Sequence, residues 1–366
     1  MSEELDYAAA GVDVHAGEKA VELMRASISA AQRPETRGDF GGFVGLFDAS
    51  ALARYEHPLL ATSTDGVGTK IVIAQMMDKH DTIGIDLVAM IVDDIVVCGA
   101  EPLFLTDYIA CGKVQPSRIA AIVSGIATGC QMAAVALLGG ETAEHPGIMG
   151  EDEYDLAAAG TGVVEAANLR SAELVHDGDV IIAMRSSGLH SNGYSLARAA
   201  LLDVAGMKLS KHLDDLGRTL GEELLEPTRI YTKDCLALCD ELGRSLRVFS
   251  HITGGGIAAN VSRVLPANLH ADLDRSTWTP HPIFSLIGAA ASVSPAAQEQ
   301  TFNMGLGMVA VVDPRAADAA LRLLAARGID AWVCATIRVR RDGDVSDSPA
   351  KGGRGGSVTL VGMHSS

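Results

Sequence analysis

The run Asp65-Gly66-Val67-Gly68-Thr69-Lys70 places a carboxylate, two glycines and a lysine within six residues. A carboxylate at the mouth of a strand can hold Mg²⁺, glycine lets the backbone approach a phosphate, and lysine supplies a point charge for a polyphosphate. The spacing is not that of a G-x-x-x-x-G-K-[ST] loop, and taken alone the six residues read equally well as an Asp-Gly turn with a surface lysine. Asp86, Asp93 and Asp94 interrupt an apolar run between Asp86 and Pro102. Asp86 and Asp93 are seven apart and share a helix face. A helix dipole accounts for Asp86, but the adjacent pair amid valines and isoleucines favours a bound cation. Glu141, in Gly139-Gly140-Glu141-Thr142-Ala143-Glu144-His145-Pro146-Gly147, follows an apolar strand. Asp65, Asp94 and Glu141 then make a three-oxygen donor set suited to Mg²⁺. His145 reads as an ordinary loop histidine, and the absence of H-E-x-x-H argues against a zinc hydrolase.

In the second half, Thr253-Gly254-Gly255-Gly256 precedes a helix and is either an anion cradle or a Thr-capped loop. His190, in the loop Ser186 to Gly193, is a candidate for proton transfer near neutral pH, although the sequence supplies no partner carboxylate. No G-x-S-x-G elbow occurs, and no G-x-G-x-x-G opens a first βαβ unit.

Interleaved helices and strands must position these groups. The patterns predict helices over 17–31, 83–98, 117–132, 228–239, 256–265 and 316–326. They predict strands over 59–63, 102–110, 134–138, 155–164, 179–184, 306–312, 331–338 and 358–361. Gly139-Gly140 reads as a turn, and Asp342 to Gly356 as a disordered Gly/Ser/Asp-rich excursion. The alternation indicates an α/β (α+β) chain of two domains, 1–168 and 169–366.

A chain of 366 residues, 48% hydrophobic and 20% charged, has material for two cores. Its net charge of −17 repels nucleic-acid backbones and anionic lipid, leaving small anions held in local pockets. Aromatic residues, at 4%, are too few for base-stacking platforms. The six cysteines show no C-x-x-C spacing and read as buried thiols. Met1 to Asp6 lacks a basic, apolar leader, and the uncharged stretch Ile119 to Gly140 reads as a helix followed by a strand. A cytoplasmic protein that binds neither membrane nor nucleic acid is expected.

Taken together, the motifs resemble the phosphoribosylformylglycinamidine cyclo-ligase family, nearly end to end. They include Tyr7 to Asp13, Arg33-Pro34, Gly41-Gly42-Phe43, Ser63 to Lys70, His80 to Ala89, Gly99 to Leu103 and Gly139 to Glu144. Ser186 to Ser195, Pro227 to Tyr231, His251 to Gly256, Leu265-Pro266 and Thr301 to Met308 complete the set. The resemblance implies an N-terminal ATP-binding domain that closes a barrel-like sheet with its twin in a homodimer, and a C-terminal α/β domain beside it. The implied reaction converts formylglycinamidine ribonucleotide and ATP to aminoimidazole ribonucleotide, ADP and phosphate. It also implies Mg²⁺, with K⁺ as an optional further ion. ATP then falls to Asp65, Gly66, Gly68, Thr69 and Lys70, and the ribonucleotide to Ser187, Gly188, Asn192, Thr253, Gly254, Gly255 and Gly256.

Three departures from the family pattern stand out: Asp93 where asparagine is expected, Met304 where some relatives carry cysteine, and few basic residues before Arg33-Pro34. The rivals are other ATP-using enzymes of the superfamily, such as the small formylglycinamidine synthetase or selenophosphate synthetase, and a silent nucleotide-binding module. No cysteine precedes Cys98, which disfavours selenophosphate synthetase.

Overall fold

A computed structural model describes residues 14–38, 42 and 44–364. The Tyr7–Asp13 motif, the Met1–Asp6 segment, and Gly41 and Phe43 lie outside the described residues.

The first sheet has strands β1 (Pro58–Gly66), β2 (Glu101–Cys111), β3 (Ala136–Glu144) and β4 (Tyr154–Glu165), in the order β1-β4-β2-β3. β4 runs antiparallel to β1 and β2, while β3 is parallel to β2. Helix α2 (Ile83–Val96) lies on β1 and β4, α3 (Pro116–Ala133) packs beside α2, and α1 (Val14–Ala30) beside α3. Leu87, Ile91 and Ile95 of α2 are buried against the sheet, each contributing about 2 kcal/mol of apolar burial. The crossing of α2 and α3 is close because a Cβ on Gly84 would stand 2.2 Å from the Ile126 nitrogen. The uncharged stretch 119–140 is the body of α3 and the start of β3. No helix among the described residues is long and apolar enough to cross a membrane.

β3 corrects the expected Gly139-Gly140 turn, since the strand runs through both glycines to Glu144. Glycine is needed there because a Cβ on Gly140 would lie 2.2 Å from the Asp107 carboxylate on β2. The sheet is open, and among the described residues its face away from the helices carries exposed side chains. Leu60 is 66% exposed, and Thr62, Thr64, Thr106, Tyr108, Ala157 and Ala159 are also exposed.

The second sheet comprises β5 (Val180–Arg185), β6 (Leu246–His251), β7 (Leu269–Asp274), β8 (Leu306–Val312), β9 (Ala331–Val339) and β10 (Ser357–Val361). Their order is β6-β8-β5-β9-β7-β10, antiparallel throughout except for β7 with β10. Alternation on β5 sends Val180, Ile182 and Met184 to one core, shared with helices α4 (Thr232–Leu242) and α6 (Ala317–Ala326). Ile181 and Ala183 enter the larger core with Ile257 and Val261 of α5 (Gly256–Arg263).

Two carboxylates of α2 tie the domains together. Asp86 accepts from the Thr228 amide at 2.8 Å and the Thr228 hydroxyl at 2.6 Å. Asp93 accepts from the Tyr231 amide at 3.0 Å and the Thr232 hydroxyl at 2.9 Å, capping α4. These bonds hold Thr228 to Tyr231 outside the helix, so α4 begins at Thr232 rather than Thr228. Asp93 is therefore a buried structural carboxylate, with burial pushing its pKa up to about 6.

The excursion at 342–356, expected to be disordered, is a series of hydrogen-bonded turns. Asp344 pairs with Arg338 at 2.9 Å, the Lys351 amide donates to Ala259 O at 3.0 Å, and the Gly356 amide donates to Ser262 O at 3.0 Å. A Cβ on Gly355, at φ +148°, would stand 2.1 Å from the Ser262 carbonyl, so this glycine lets the segment lie against α5.

Candidate active site

A cavity of about 480 Å³ opens where the two domains meet. The end of β1 and the turn after it supply Asp65, Gly66 and Gly68, β4 supplies Asp155, and the second domain supplies Ser191, Asn192, Thr253 and Gly254. Lys351, from the 342–356 excursion, completes the wall. The structure thus brings Asp65, Gly66 and Gly68, expected at ATP, together with Asn192, Thr253 and Gly254, expected at the ribonucleotide; the sequence did not single out Asp155 or Lys351.

Asp94 stands close enough to Asp65 for their charges to interact. Burial, reinforced by Asp94, raises the Asp65 pKa. Asp94 is 42% exposed and bonds His251 Nδ1 at 2.9 Å. Burial opposes its ionisation, but the His251 bond outweighs this and its pKa is lowered. Burial likewise opposes protonation of His251, yet Asp94, Asp93 and Asp65 raise its pKa. His251 therefore orients Asp94 and keeps it ionised. The His251 of H-I-T-G-G-G was legible as part of the motif, but its partner lies 157 residues away.

Other expected residues have different surroundings. The Lys70 ammonium is fully buried, donating to Asp86 at 2.8 Å, Glu226 O at 2.6 Å and His190 O at 3.2 Å, so it is turned away from any polyphosphate. Thr69 meets the Ser195 hydroxyl at 3.1 Å. His190 is buried, its Nε2 accepts from the Ser187 amide at 3.1 Å, and burial drives its pKa well down. That geometry makes it a neutral imidazole holding the 186–193 loop. The Ser187 hydroxyl donates to Pro227 O at 2.6 Å, and Gly188 O accepts from Asn303 at 2.9 Å. The amides of the proposed cradle are engaged, Gly254 with Asn192 Oδ1 at 2.9 Å and Gly256 with Thr253 O at 3.2 Å. Gly255 serves as the left-handed N-cap of α5 at φ +98°. Met304 is buried.

Glu141 lines a second cavity of about 1200 Å³, between α1, the segment after it, and the edge of the first sheet. Asp65 pairs with Ala158, Ala158 with Asp107, and Asp107 with Gly140, the neighbour of Glu141. Three strand spacings, about 14 Å, therefore separate Asp65 from Glu141 within one chain. Carboxylate oxygens sharing one Mg²⁺, with bonds of about 2.1 Å, lie far closer than that. No cluster of three or more His, Cys, Asp or Glu side chains among the described residues is placed to hold a metal ion. Asp65 and Asp94 remain a pair of hard oxygen donors of the kind Mg²⁺ takes.

Asp107, another residue the motifs did not flag, lines this second cavity, where burial pushes its pKa up to about 7. An unfolded aspartate ionises near 3.9, so between about pH 4 and 7 the unfolded state sheds its proton first and stability falls as pH rises. At about 1.4 kcal/mol per pKa unit the decline is at most about 4 kcal/mol. Asp107→Asn is expected to flatten the fall in melting temperature between pH 5 and 8; a parallel fall in both proteins would refute it.

Family models for AIR synthase related proteins match residues 47–164 as the N-terminal domain and 176–348 as the C-terminal domain. A phosphoribosylformylglycinamidine cyclo-ligase of Shouchella clausii is 50% identical over 331 residues, covering 90% of this chain and 95% of its own. That of Lachnospira eligens is 44% identical over 339 residues, covering 93% and 99%. The chain belongs to the phosphoribosylformylglycinamidine cyclo-ligase family. Membership makes it an enzyme, a ligase of purine biosynthesis that forms a C–N bond. Among solved structures, thiamine-monophosphate kinase from Stenotrophomonas maltophilia superposes with a TM-score of 0.64 at 17% identity, covering 95% of this chain and 97% of its own. The hydrogenase maturation protein HypE in complex with ATP gives 0.62 at 16%, covering 90% and 89%. At such identities these two show a shared fold alone.

Proposed function

We propose that the chain closes the imidazole ring of formylglycinamidine ribonucleotide at the expense of ATP, giving aminoimidazole ribonucleotide, ADP and phosphate. The observation that carries this reading is 44% to 50% identity to cyclo-ligases over 90% or more of the chain, combined with a domain-junction cavity sized for a nucleotide. The phosphoryl group goes to the formyl oxygen, a ring-forming nitrogen attacks the formyl carbon, and phosphate leaves. Asp65 and Asp94 are the residues that would hold Mg²⁺, which supplies charge neutralisation for the polyphosphate. The chain's own contribution is to position: Gly66 and Gly68 let backbone approach a phosphate, and His251 fixes Asp94. The test is ADP release by the purified protein with Mg²⁺-ATP. Release that depends on the ribonucleotide, with aminoimidazole ribonucleotide in equal amount, is expected; release without it points to the superfamily rivals.

The working unit in this reading is a homodimer. β1 and β3 are the edge strands, nine residues each, and among the described residues no strand pairs with their outer edges, which are bonded at Leu137 to Ala31 O and Gln32, while the face between them carries exposed side chains. Unprotected edges are a liability that closure removes, and eight strands make a barrel whose interior small side chains such as Thr62, Thr64 and Ala159 can fill. Pairing β1 with the β3 edge of a second copy would bring Glu141 of the partner subunit towards Asp65 and Asp94, completing the three-oxygen set.

A further inference from the structure

The cleft needs a cation for a phosphate, and the lysine of the Asp65–Lys70 run does not provide one, because its three donors are satisfied inside the protein. Among the residues lining the cavity the charged ones are Asp65, Asp155 and Lys351. The Lys351 ammonium donates to the Thr253 hydroxyl at 3.2 Å, its one hydrogen-bond acceptor among the described residues, which leaves two N–H donors for a ligand. Its backbone is fixed on both sides, by Ala259 O through its own amide and by Ser262 O through the amide of Gly356. The lysine is therefore carried by a strap docked along α5, rather than by a free loop.

We propose that Lys351 and the Thr253 hydroxyl form the clamp for the phosphate ester of the ribonucleotide, an assignment that rests on reading this cleft as the ribonucleotide site. Charge sets the orientation. An amidine is cationic near neutral pH and a phosphate ester anionic, so the substrate is a dipole of opposite charges. The cavity carries charges of both signs for it, Lys351 beside Thr253 for the phosphate and, on β4 of the first domain, the Asp155 carboxylate for the amidine, while Asp65 and Asp94, near enough to Lys351 for their charges to interact, stay with the cation. Arriving phosphate also competes with Asn192 Oδ1 for the Gly254 amide, which adds a backbone donor beside the lysine. Lys351 is thus a binding residue that sets substrate orientation, brought in by a segment outside the motifs of the family.

The test uses the full chain with Lys351→Ala and Lys351→Arg. Charge-assisted hydrogen bonds to phosphate are strong enough that the alanine variant is expected to raise KM for the ribonucleotide roughly 10- to 100-fold. KM for ATP should stay within about twofold, the melting temperature should hold, and arginine should recover most of the loss. Calorimetric titration with ribose 5-phosphate, without ATP, should show the same fall in affinity for the alanine variant. An unchanged ribonucleotide KM, or a rise confined to ATP, would overturn the assignment. Should the wild-type protein turn over no ribonucleotide, the functional reading fails, and the ribose 5-phosphate titration still decides the role of Lys351.

Discussion

Asp86→Ala is expected to lower the free energy of unfolding by about 3–5 kcal/mol, the cost typical of stranding one member of a buried ion pair. The Lys70 ammonium and the Asp86 carboxylate are both inaccessible to solvent and lie 2.8 Å apart. Burial lowers the Lys70 pKa while Asp86 works against that, so the charged state of the lysine depends on this partner. Asp86 also holds the Thr228 amide and hydroxyl, so its loss frees buried donors and loosens the segment that joins the second domain to α2. Lys70→Met should be destabilising by a similar amount, whereas the double variant Lys70→Met/Asp86→Ala should be milder than the sum, because no buried charge is left unpaired. Urea unfolding of the four proteins measures this directly. A Lys70→Met variant with wild-type stability and a raised KM for ATP would restore the lysine to the polyphosphate and refute the structural role.

That pair shows where sequence reading reaches and where it stops. The elements were largely legible because α2, α3, β2 and β8 carry apolar residues at helix or strand spacing, and Gly99, at φ +81°, closes the turn that follows α2. β6 and β7 escaped notice because Arg247, His270 and Asp272 break the apolar run, each answered by a distant partner: Asp179, Ser357 and Arg338 respectively. The turn at Gly139-Gly140 was misread because the reason for glycine, the Asp107 carboxylate beneath, lies on another strand. Site residues followed the same division. Asp65, Asn192 and Thr253, singled out by residue type and local turn chemistry, line the junction cavity. Lys70, expected at the polyphosphate, is sealed, and Lys351, for which the sequence raised no expectation, faces the cavity, because contacts 98 to 156 residues away decide both.

Mixing two inactive variants, Asp94→Ala and Glu141→Ala, is expected to restore activity. Each substitution alone removes an oxygen donor for the cation that neutralises the polyphosphate and should cost about 100-fold or more in kcat/KM. Within one chain, three strand spacings keep Glu141 from Asp65, and Asp94 sits with Asp65. In a symmetric dimer closed through the β1 and β3 edges, each site takes Asp65 and Asp94 from one subunit and Glu141 of the partner subunit. A heterodimer of the two variants then has one site carrying both lesions and one carrying neither. Random pairing makes half of the dimers mixed, so the regained activity should approach about a quarter of wild type. The measurement is ribonucleotide-dependent ADP release after co-expression or co-refolding of the two variants, with each variant treated alone as the control. Sites built within single chains would give no regain, since every chain in the mixture carries a lesion. Regain therefore requires both the dimer and the shared site, and its absence would remove Glu141 from the proposed cation set.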